Sequence, residues 1–392
     1  MAYDLLIRGG TLIDPAAGIH ERRDVAFQNG RVAATAPRID AAAAETLDAS
    51  GRYVTPGWID LHVHVFAGVS HFGIPPDEHC VAKGVTTAVD AGSAGADTFA
   101  GFRRYIIDVS ETRLYAFCNI SAQGMLNAQV GELEELRFAD VQRAVATCEA
   151  NRDVILGVKV RLTRNLVGDN GLKPLHLARE AADAAGMPIM VHPQDAHGDL
   201  DEILAVMRRG DIMTHTFHGM RGGILDEDGR IRRCVRQAAE RGVVFDVGHG
   251  AGSFSWRIVE QAMAQEFAPH TISTDLHVYN VNGPVFDQAT TLAKFMHLGL
   301  SLEEALARTT ATPADALGGG LERVLGTLAV GAAGDAVVCE LEEGPITLTD
   351  SRGETREGSV RLRVREVIRG GRIYRAPASA PHPHGASPLD RV

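Results

Sequence analysis

Apolar and polar residues follow two different periods along the chain. Over residues 4–55, short runs of alternating polarity are separated by turn residues such as Gly9, Gly10, Asn29 and Gly30. Alternation with a period of two predicts half-buried β-strands, and an Asn-Gly pair between two such runs favours a hairpin. After Gly57 the apolar runs alternate with helical patterns, which indicates that a different architecture begins there.

The segment from residue 56 to residue 319 repeats one unit, a strand followed by a helix. Eight apolar runs predict strands, at residues 57–65, 86–91, 113–120, 154–162, 188–192, 212–216, 243–247 and 271–274. Amphipathic stretches predict helices between them, at residues 140–150, 174–185, 200–209, 231–241 and 255–265. This succession is typical of a (β/α)8 TIM barrel, so the predicted fold class is α/β.

Both ends of the chain are rich in predicted strands and bracket the barrel. Short alternating runs return near the end, at residues 335–340, 360–364 and 367–368. The simplest interpretation is that residues 1–55 and 320–375 together form a small β-sandwich domain, with the barrel over residues 56–319. Residues 376–392 are rich in Pro, Ala and Ser, and we expect them to form a mobile tail.

The charge balance narrows the possible partners. The formal net charge is −11 and no cluster of Lys and Arg stands out, which argues against binding to nucleic acid or to a membrane surface. We therefore expect a small-molecule substrate, and a homo-oligomer is the default assembly. The five cysteines are scattered, unlike a disulfide framework, so we expect a reducing, cytoplasmic setting. We also expect no signal peptide and no membrane span.

Two histidines stand at the end of the first predicted barrel strand. Side chains two residues apart on a strand share a face, so His62 and His64 can reach the same metal ion. The alternative is that both are structural histidines with satisfied hydrogen bonds. The carboxyl ends of barrel strands form the catalytic face, which favours the metal interpretation.

Three later strands end in the same way. His192, His215 and Asp275 are each the first residue of metal-ligand type after an apolar run. All three positions open onto the same face of a barrel. The agreement among four strands predicts a metal site there.

Lys159 lies inside the apolar run of the fourth predicted strand. A charged ammonium is costly to bury, so one interpretation is that the side chain extends to solvent at the strand end. The other is that burial lowers its pKa and the neutral amine captures carbon dioxide. The carbamate would supply an anionic ligand bridging two cations.

Together these residues resemble the ligand set of the amidohydrolase superfamily, in its binuclear branch with a carboxylated lysine: His62, His64, Lys159, His192, His215 and Asp275. The resemblance extends from residues 10–15 through 54–64 to the strand-rich end. Residues 214–220, 246–250 and 273–277 make the chain most similar to the deacetylase cluster of the dihydroorotase and hydantoinase group.

The resemblance implies two divalent metal ions, with zinc as the expected metal. One ion would be held by His62, His64, Lys159 and Asp275, and the other by Lys159, His192 and His215. Bridged by one oxygen, two cations lower the pKa of water enough to give hydroxide near neutral pH. Asp275 would take the proton and pass it to the leaving group. The implied reaction is removal of a small acyl group, such as acetyl, from an amino or hydroxy acid derivative.

Three further residues are candidates for substrate binding. His218 and His249 follow the sixth and seventh strands, and either would hold the carbonyl oxygen or an acid group of the substrate. Asn119 ends the third strand and is a weaker candidate. Each of the two histidines has the alternative of a loop residue bound to water or backbone.

Three alternative functions remain open. Cyclic amidases that open hydantoin or dihydroorotate rings share the resemblance, but dihydroorotases carry an Arg shortly after the paired histidines, where this chain has Val65 and Phe66. Deaminases of the superfamily typically use one metal and lack the lysine of strand four, so Lys159 argues against that activity. Inactive scaffold relatives have lost metal ligands, and this chain has lost none.

Overall fold

The computed structural model describes residues 2–127 and 129–376 of the chain. The predicted tail therefore lies outside the described residues, apart from Ala376. Among the described residues, no helix combines the length and the apolar character that a membrane span requires.

The strands of the described residues form three sheets. In chain order they are β1 Tyr3–Arg8, β2 Thr11–Asp14, β3 Ile19–Arg22, β4 Asp24–Gln28, β5 Arg31–Ala36, β6 Ala43–Asp48, β7 Tyr53–Pro56, β8 Trp58–Val63, β9 Val85–Asp90, β10 Arg113–Asn119, β11 Ile155–Arg161, β12 Ile189–His192, β13 Ile212–Met213, β14 Val244–Phe245, β15 Ala336–Thr349, β16 Thr355–Arg369 and β17 Arg372–Ile373.

The helices lie mostly between the strands of the second half of this series. They are α1 Pro76–His79, α2 Phe99–Tyr105, α3 Val141–Ala150, α4 Arg164–Val167, α5 Lys173–Ala185, α6 Leu200–Val206, α7 Arg233–Glu240, α8 Trp256–Met263, α9 Gln288–His297, α10 Leu302–Ala307 and α11 Ala311–Leu317. Short 3-10 helices occur at Pro15–Ala17, Val81–Lys83, Ile107–Val109, Leu136–Phe138, Gly168–Asn170 and Leu321–Arg323. Helices α3, α5, α6, α7 and α8 match the five amphipathic stretches of the sequence.

A seven-stranded parallel sheet forms the centre of the molecule. Its strands run in chain order from β8 to β14, and every residue of β8 and β9 is buried. Burial on both faces is typical of parallel sheets that are covered by helices, which explains their unbroken apolar runs. The sheet positions the carboxyl ends of all seven strands on one side of the molecule.

Both edges of this sheet reach the same segment, so the sheet is curled. Val247 N donates to Thr271 O at 3.1 Å on one side, and His64 N donates to Leu276 O at 3.0 Å on the other. The predicted eighth strand at residues 271–274 lies here but is not a regular strand. The reason is that side chains replace part of the ladder, since Thr274 N donates to the Asp60 carboxylate at 3.0 Å.

Two smaller sheets contain the strands from the chain ends. One has the order β5-β4-β1-β6 and uses only N-terminal strands, whereas the order β17-β16-β15-β7-β2-β3 combines both ends. Leu5 and Val25 of the first sheet share a buried cluster with Val54 and Val338 of the second. That these sheets make a separate β-sandwich domain with the predicted bounds stays a prediction.

The C-terminal strands differ from their prediction as short runs. β15 and β16 pair antiparallel along almost their whole length, and the turn between them reaches helix α8, where Trp256 N donates to Asp350 Oδ2 at 3.1 Å. Gly344 and Pro345 lie inside β15, although neither residue favours a regular strand. The structure absorbs both in a register shift between Glu343 and Ile346.

Candidate active site

The six predicted metal ligands are brought together at the carboxyl side of the curled sheet. His62 lies on β8, Lys159 on β11 and His192 on β12. Of the six predicted ligands, all except His192 are fully or almost fully buried. His64, His215 and Asp275 lie just beyond strand ends. The backbones of His215 and Asp275 have positive φ, 61° and 49°, a conformation that costs free energy in residues other than glycine. Such strain is typical of functional sites.

The Asp275 carboxylate lies between the paired histidines. Its Oδ1 is 3.3 Å from His62 Nε2 and 3.2 Å from His64 Nε2. One ligand atom each of His62, His215 and Asp275 falls within 4.8 Å of the others. These atoms are close enough to bind one cation, so the geometry fits the predicted metal chemistry.

A chain of hydrogen bonds orients the His62 ring. The Thr214 hydroxyl donates a hydrogen bond to Asp246 Oδ2 at 2.8 Å. Because its one proton is used there, Thr214 Oγ1 accepts the hydrogen bond from His62 Nδ1, also at 2.8 Å. Asp246 also accepts hydroxyl protons from Thr271 and Ser273 at 2.7 Å. With its proton on Nδ1, His62 presents the Nε2 lone pair that a metal requires.

His64 and His215 are held in the same manner. His64 Nδ1 contacts Ser93 Oγ at 2.9 Å, and His215 Nδ1 donates to the carbonyl of Gly248 at 2.7 Å. Burial lowers the pKa of His64 to about 3 and that of His215 well below its ordinary value, so both rings are neutral at pH 7. Neutral imidazole is the form that binds metals.

Lys159 lies at the centre of the cluster with few partners. Its amine donates to Met190 Sδ at 3.4 Å, and no other hydrogen bond of this amine occurs within residues 2–127 and 129–376. Burial lowers the pKa of Lys159 to about 7, so in a large share of the molecules its amine is neutral near pH 7. A neutral amine is the species that reacts with carbon dioxide to form a carbamate, and few hydrogen bonds hold this one back.

His192 completes the predicted set beside His215. The two ring centres are 4.3 Å apart, and His192 Nε2 contacts Thr163 Oγ1 at 3.1 Å. This contact orients the ring and leaves Nδ1 as its other ligand atom. The donors present, oriented imidazoles with a carboxylate and a buried lysine, therefore fit a site for divalent metal ions.

The three predicted substrate-binding residues have different surroundings. His218 is buried, and its Nδ1 accepts a hydrogen bond from Met220 N. Its Nε2 has no hydrogen-bond partner among the described residues. His249 Nδ1 contacts Gly250 O at 2.9 Å and its Nε2 contacts Lys294 Nζ at 2.6 Å. Only His218 therefore offers a free ring nitrogen.

The Asn119 amide is also engaged with the protein. Its Nδ2 donates to Gly92 O at 3.0 Å and to Glu132 Oε2 at 3.2 Å, while its Oδ1 accepts from Ser121 N. Asn119 is completely buried. These contacts favour a structural role, in which Asn119 fixes Glu132, over direct contact with a substrate.

Several site residues escaped the sequence interpretation. Asp246 orients His62, Asp60 fixes the segment that carries Asp275, and Arg161 ends the strand that carries Lys159. The signal for Arg161 was present, because it lies two residues after Lys159 and therefore on the same face of the strand. Asp60 and Asp246 are buried acids in apolar runs, a pattern that also indicates a specific role.

Aromatic side chains cover one side of the cluster. The Phe72 ring stacks on His64 with centres 5.2 Å apart, and it also contacts His277 and Tyr279 at 4.8 and 5.8 Å. Such contacts exclude water on that side of the cluster and strengthen electrostatic interactions there. The site is thus a partly apolar pocket around oriented polar groups.

A family model describes most of this chain. The model of the amidohydrolase family matches residues 53–374, which include all six predicted ligands. A deacetylase of Enterococcus faecalis is 36% identical over 379 residues, which are 95% of this chain and 100% of that protein.

Two solved structures resemble the whole molecule. A structure described as an adenine deaminase has a TM-score of 0.88 and 36% identity, and covers 95% of this chain and 99% of its own. A structure described as a dihydroorotase has a TM-score of 0.85 and 32% identity, with coverages of 94% and 97%. The three similar proteins thus carry three different activities in their names on one fold.

Proposed function

The chain belongs to the amidohydrolase family, and we propose that it is a two-metal hydrolase that removes a small acyl group, such as acetyl, from an amino or hydroxy acid derivative. That the chain is a hydrolase acting on amide bonds rests on the family and on the deacetylase relative that matches 95% of the chain. The proposed removal of an acyl group by two metal ions rests on the arrangement of the residues in the site.

One observation carries the proposal. The Asp275 carboxylate lies 3.3 and 3.2 Å from the Nε2 atoms of His62 and His64, and the opposite nitrogens of both rings are held by Thr214 and Ser93. Two imidazole nitrogens and a carboxylate oxygen thus converge on one point, and their lone pairs would repel one another unless a cation or a proton lay between them. Such a set supports metal-assisted hydrolysis.

We infer that zinc ions are held by the six residues named from the sequence. One would be bound by His62, His64, Lys159 and Asp275, and the other by Lys159, His192 and His215, with Lys159 as its carbamate. Divalent cations bound there supply Lewis acidity, which polarises a carbonyl group and lowers the pKa of water.

Asp275 is the proposed proton carrier. Without a bound metal, burial raises its pKa to about 6, against the opposing effect of the positive charges nearby. A carboxylate held beside the reacting water can exchange a proton with it. Asn280 Nδ2 donates to the Asp275 backbone carbonyl at 2.7 Å, which fixes the residue despite its positive φ. The carboxylate can therefore accept a proton from water and deliver it to the leaving group.

His218 is the proposed partner of the substrate carbonyl. Because Nδ1 accepts the Met220 amide proton, Nε2 carries the ring's proton, and this buried N–H has no partner within the described part of the chain. Burial lowers the pKa of His218 to about 4, so the ring is a neutral donor at pH 7. A neutral donor stabilises developing negative charge on a carbonyl oxygen.

Ring opening is the second candidate function. The structure described as a dihydroorotase, at 32% identity, favours it, because the same site chemistry would hydrolyse a cyclic amide. The structure described as an adenine deaminase raises a third possibility. Lys159 argues against that activity, as the deaminase branch typically lacks this lysine.

A substrate panel tests these possibilities together. Acetate release would be measured from N-acetyl amino acids and O-acetyl hydroxy acids of both hands, beside cyclic ureides, cyclic imides and adenine, with metal content determined on the same protein. We expect turnover of acetylated acids with preference for one enantiomer, because two fixed points leave one direction for the α-substituent. The Asp275→Asn variant, run in parallel, controls for contaminating hydrolases.

The outcomes separate the candidates. Activity confined to cyclic ureides and imides would replace deacylation by ring opening, and release of ammonia from adenine would replace both. Equal rates for the two enantiomers would contradict the proposed substrate placement. Fewer than about two metals per chain in the active protein would contradict the two-metal site.

A further inference from the structure

Arg161 lies at the mouth of the proposed site. It is the last residue of β11, two positions after Lys159, and its Cα pairs in register with that of His192 on β12. Alternation along the strand places Arg161 and Lys159 on the same face, toward the cluster. The Arg161 guanidinium carbon is 5.4 Å from the centre of the Phe72 ring, which itself stacks on His64.

The guanidinium group is fixed from one edge and one face. Its Nη1 donates to Glu132 Oε1 at 2.5 Å, and Glu132 is held in turn by Asn119 Nδ2 at 3.2 Å. The Phe72 ring covers one face of the guanidinium. The side chain of Arg161 is 13% exposed and that of Glu132 only 4%, so this ion pair is largely removed from water.

The remaining donors of Arg161 have no protein acceptor. Within residues 2–127 and 129–376, its Nε and Nη2 make no hydrogen bond. An arginine that is held on one side and free on the other presents two parallel N–H groups, the arrangement that matches a carboxylate. Glu132 leaves this side open because it occupies Nη1.

His71, His277 and His249 supply no positive charge for an anion. Burial lowers the pKa of His71 to about 4, so this ring is neutral at pH 7. His277 Nδ1 accepts a hydrogen bond from Tyr279 N at 3.2 Å, so that nitrogen carries no proton and the ring is neutral. His249 has both ring nitrogens engaged, with Gly250 O and Lys294 Nζ. The guanidinium group of Arg161 therefore supplies the positive charge beside these histidines.

We propose that Arg161 binds the carboxylate of the substrate through Nε and Nη2. The assignment rests on the proposed function and deepens it: the substrates are acyl derivatives that keep a free carboxylate, and Arg161 selects for that group. The acyl carbonyl then lies toward Asp275 and His218, while the carboxylate lies toward strand β11. Arg161 is thus a specificity-determining residue, and His218 remains the partner of the carbonyl.

A pair of isosteric substrates tests the charge recognition. Acetate release would be measured from an N-acetyl amino acid and from its carboxamide, which has the same shape and no charge, with wild-type protein and with the variants Arg161→Met and Arg161→Lys. We expect Arg161→Met to raise KM for the acid by about 10- to 100-fold, the worth of one or two charge-assisted hydrogen bonds. The carboxamide should change by less than about threefold, and kcat for both should stay within about threefold.

Two controls guard against a structural explanation. Arg208→Met removes an arginine that is 62% exposed and pairs with Asp183, and it should alter neither substrate. Arg161→Lys keeps the charge but not the paired donors, so we expect a smaller loss on the acid and none on the carboxamide. This variant also serves if Arg161→Met does not fold. Guanidinium ion added to Arg161→Ala should restore part of the acid activity.

A binding measurement separates this inference from the proposed reaction. Calorimetric titration with an N-acetyl amino acid as probe, under conditions without turnover, should show affinity in the wild type that falls about 10- to 100-fold in Arg161→Met. If the protein hydrolyses no acyl derivative but shows this loss, the proposed reaction is wrong and the role of Arg161 stands. Equal losses for acid and carboxamide, or unchanged binding of the acid, would overturn the role of Arg161.

Discussion

Two lysines are fully buried in different regions, Lys159 within the cluster of predicted ligands and Lys294 on helix α9. Burial lowers the pKa of both Lys159 and Lys294 to about 7. The amine of Lys294, on α9, finds three acceptors, His249 Nε2 at 2.6 Å, Pro284 O at 2.9 Å and Thr349 O at 2.6 Å. The amine of Lys159 has one weak acceptor among the described residues, the sulfur of Met190 at 3.4 Å.

This difference shows which buried lysine is free for chemistry. A lysine whose three donors are satisfied connects structural elements, and Lys294 links the loops after β14 and after segment 271–276 to the β15–β16 hairpin. A lysine without such acceptors costs free energy unless it is modified or bound to a metal. Burial and lowered pKa alone do not distinguish the two, whereas the count of acceptors does.

The largest effect is expected from Lys159→Ala. The variant should lose at least about 10³-fold in kcat/KM and bind fewer metal ions, because the proposed bridging ligand would be absent. Acetate or propionate should restore part of the activity by occupying the space of the carbamate. Lys294→Ala is the matched control: short acids should not rescue it. Rescue of both variants alike, or of neither, would remove the distinction between the two lysines.

Asp275→Asn should reduce kcat by about 10²- to 10⁴-fold while the protein stays folded. The amide keeps the shape of the carboxylate but can neither accept a proton from water nor carry it to the leaving group. Turnover and circular dichroism measured on the same preparation check both halves of the prediction. Near wild-type turnover would exclude Asp275 as the proton carrier.

Much of the fold was accessible from the sequence, because parallel strands buried on both faces leave unbroken apolar runs. Seven of the eight predicted strands are present, and the eighth segment lies in its expected place without a regular ladder. The hairpin of β15 and β16 was missed because Gly344 and Pro345 are local breakers that tertiary pairing overrides. Propensity rules cannot anticipate a register shift that absorbs them.

That the proposed ligands lie together was predictable for a similar reason, since His62 and His64 share a strand face and the later candidates follow strand ends. Their role as ligands stays a prediction. Their supporting partners were not predictable. Arg161 is held by Glu132 from a loop 29 residues earlier in the chain, and Lys294 is held by Thr349, 55 residues later. No local sequence pattern encodes contacts between segments that are far apart in the chain. For the same reason the sequence did not show that Lys294 contacts His249, and His249 was named as a candidate for substrate binding.

Lys294→Met should mainly affect stability. The variant leaves His249 Nε2 and the carbonyls of Pro284 and Thr349 without their donor, which should cost about 2 kcal/mol of unfolding free energy or more. We expect kcat/KM to fall less than tenfold, because no metal ligand is touched. Denaturant unfolding measures the first and acetate release the second, with the exposed Lys173→Met as control. An activity loss as large as that of Lys159→Ala would contradict the structural role of Lys294.

The smallest expected effect is the dependence of this stability difference on pH. The folded-state pKa of Lys294 is about 7, below the ordinary 10.5, so between these values the unfolded chain binds more protons than the folded one. Stability therefore rises with pH in that window through this group, by at most about 1.4 kcal/mol per pH unit, and is independent of it below pH 7. Lys294→Met lacks this contribution, so the stability difference between wild type and variant should widen from pH 7.5 to 8.5 and stay constant from pH 5.5 to 6.5. Unfolding free energies of the two proteins at these four pH values decide the point. A difference that is flat throughout would mean that Lys294 stays charged in the folded state, held by its two carbonyls and by His249; the two buried lysines would then differ in charge as well as in partners.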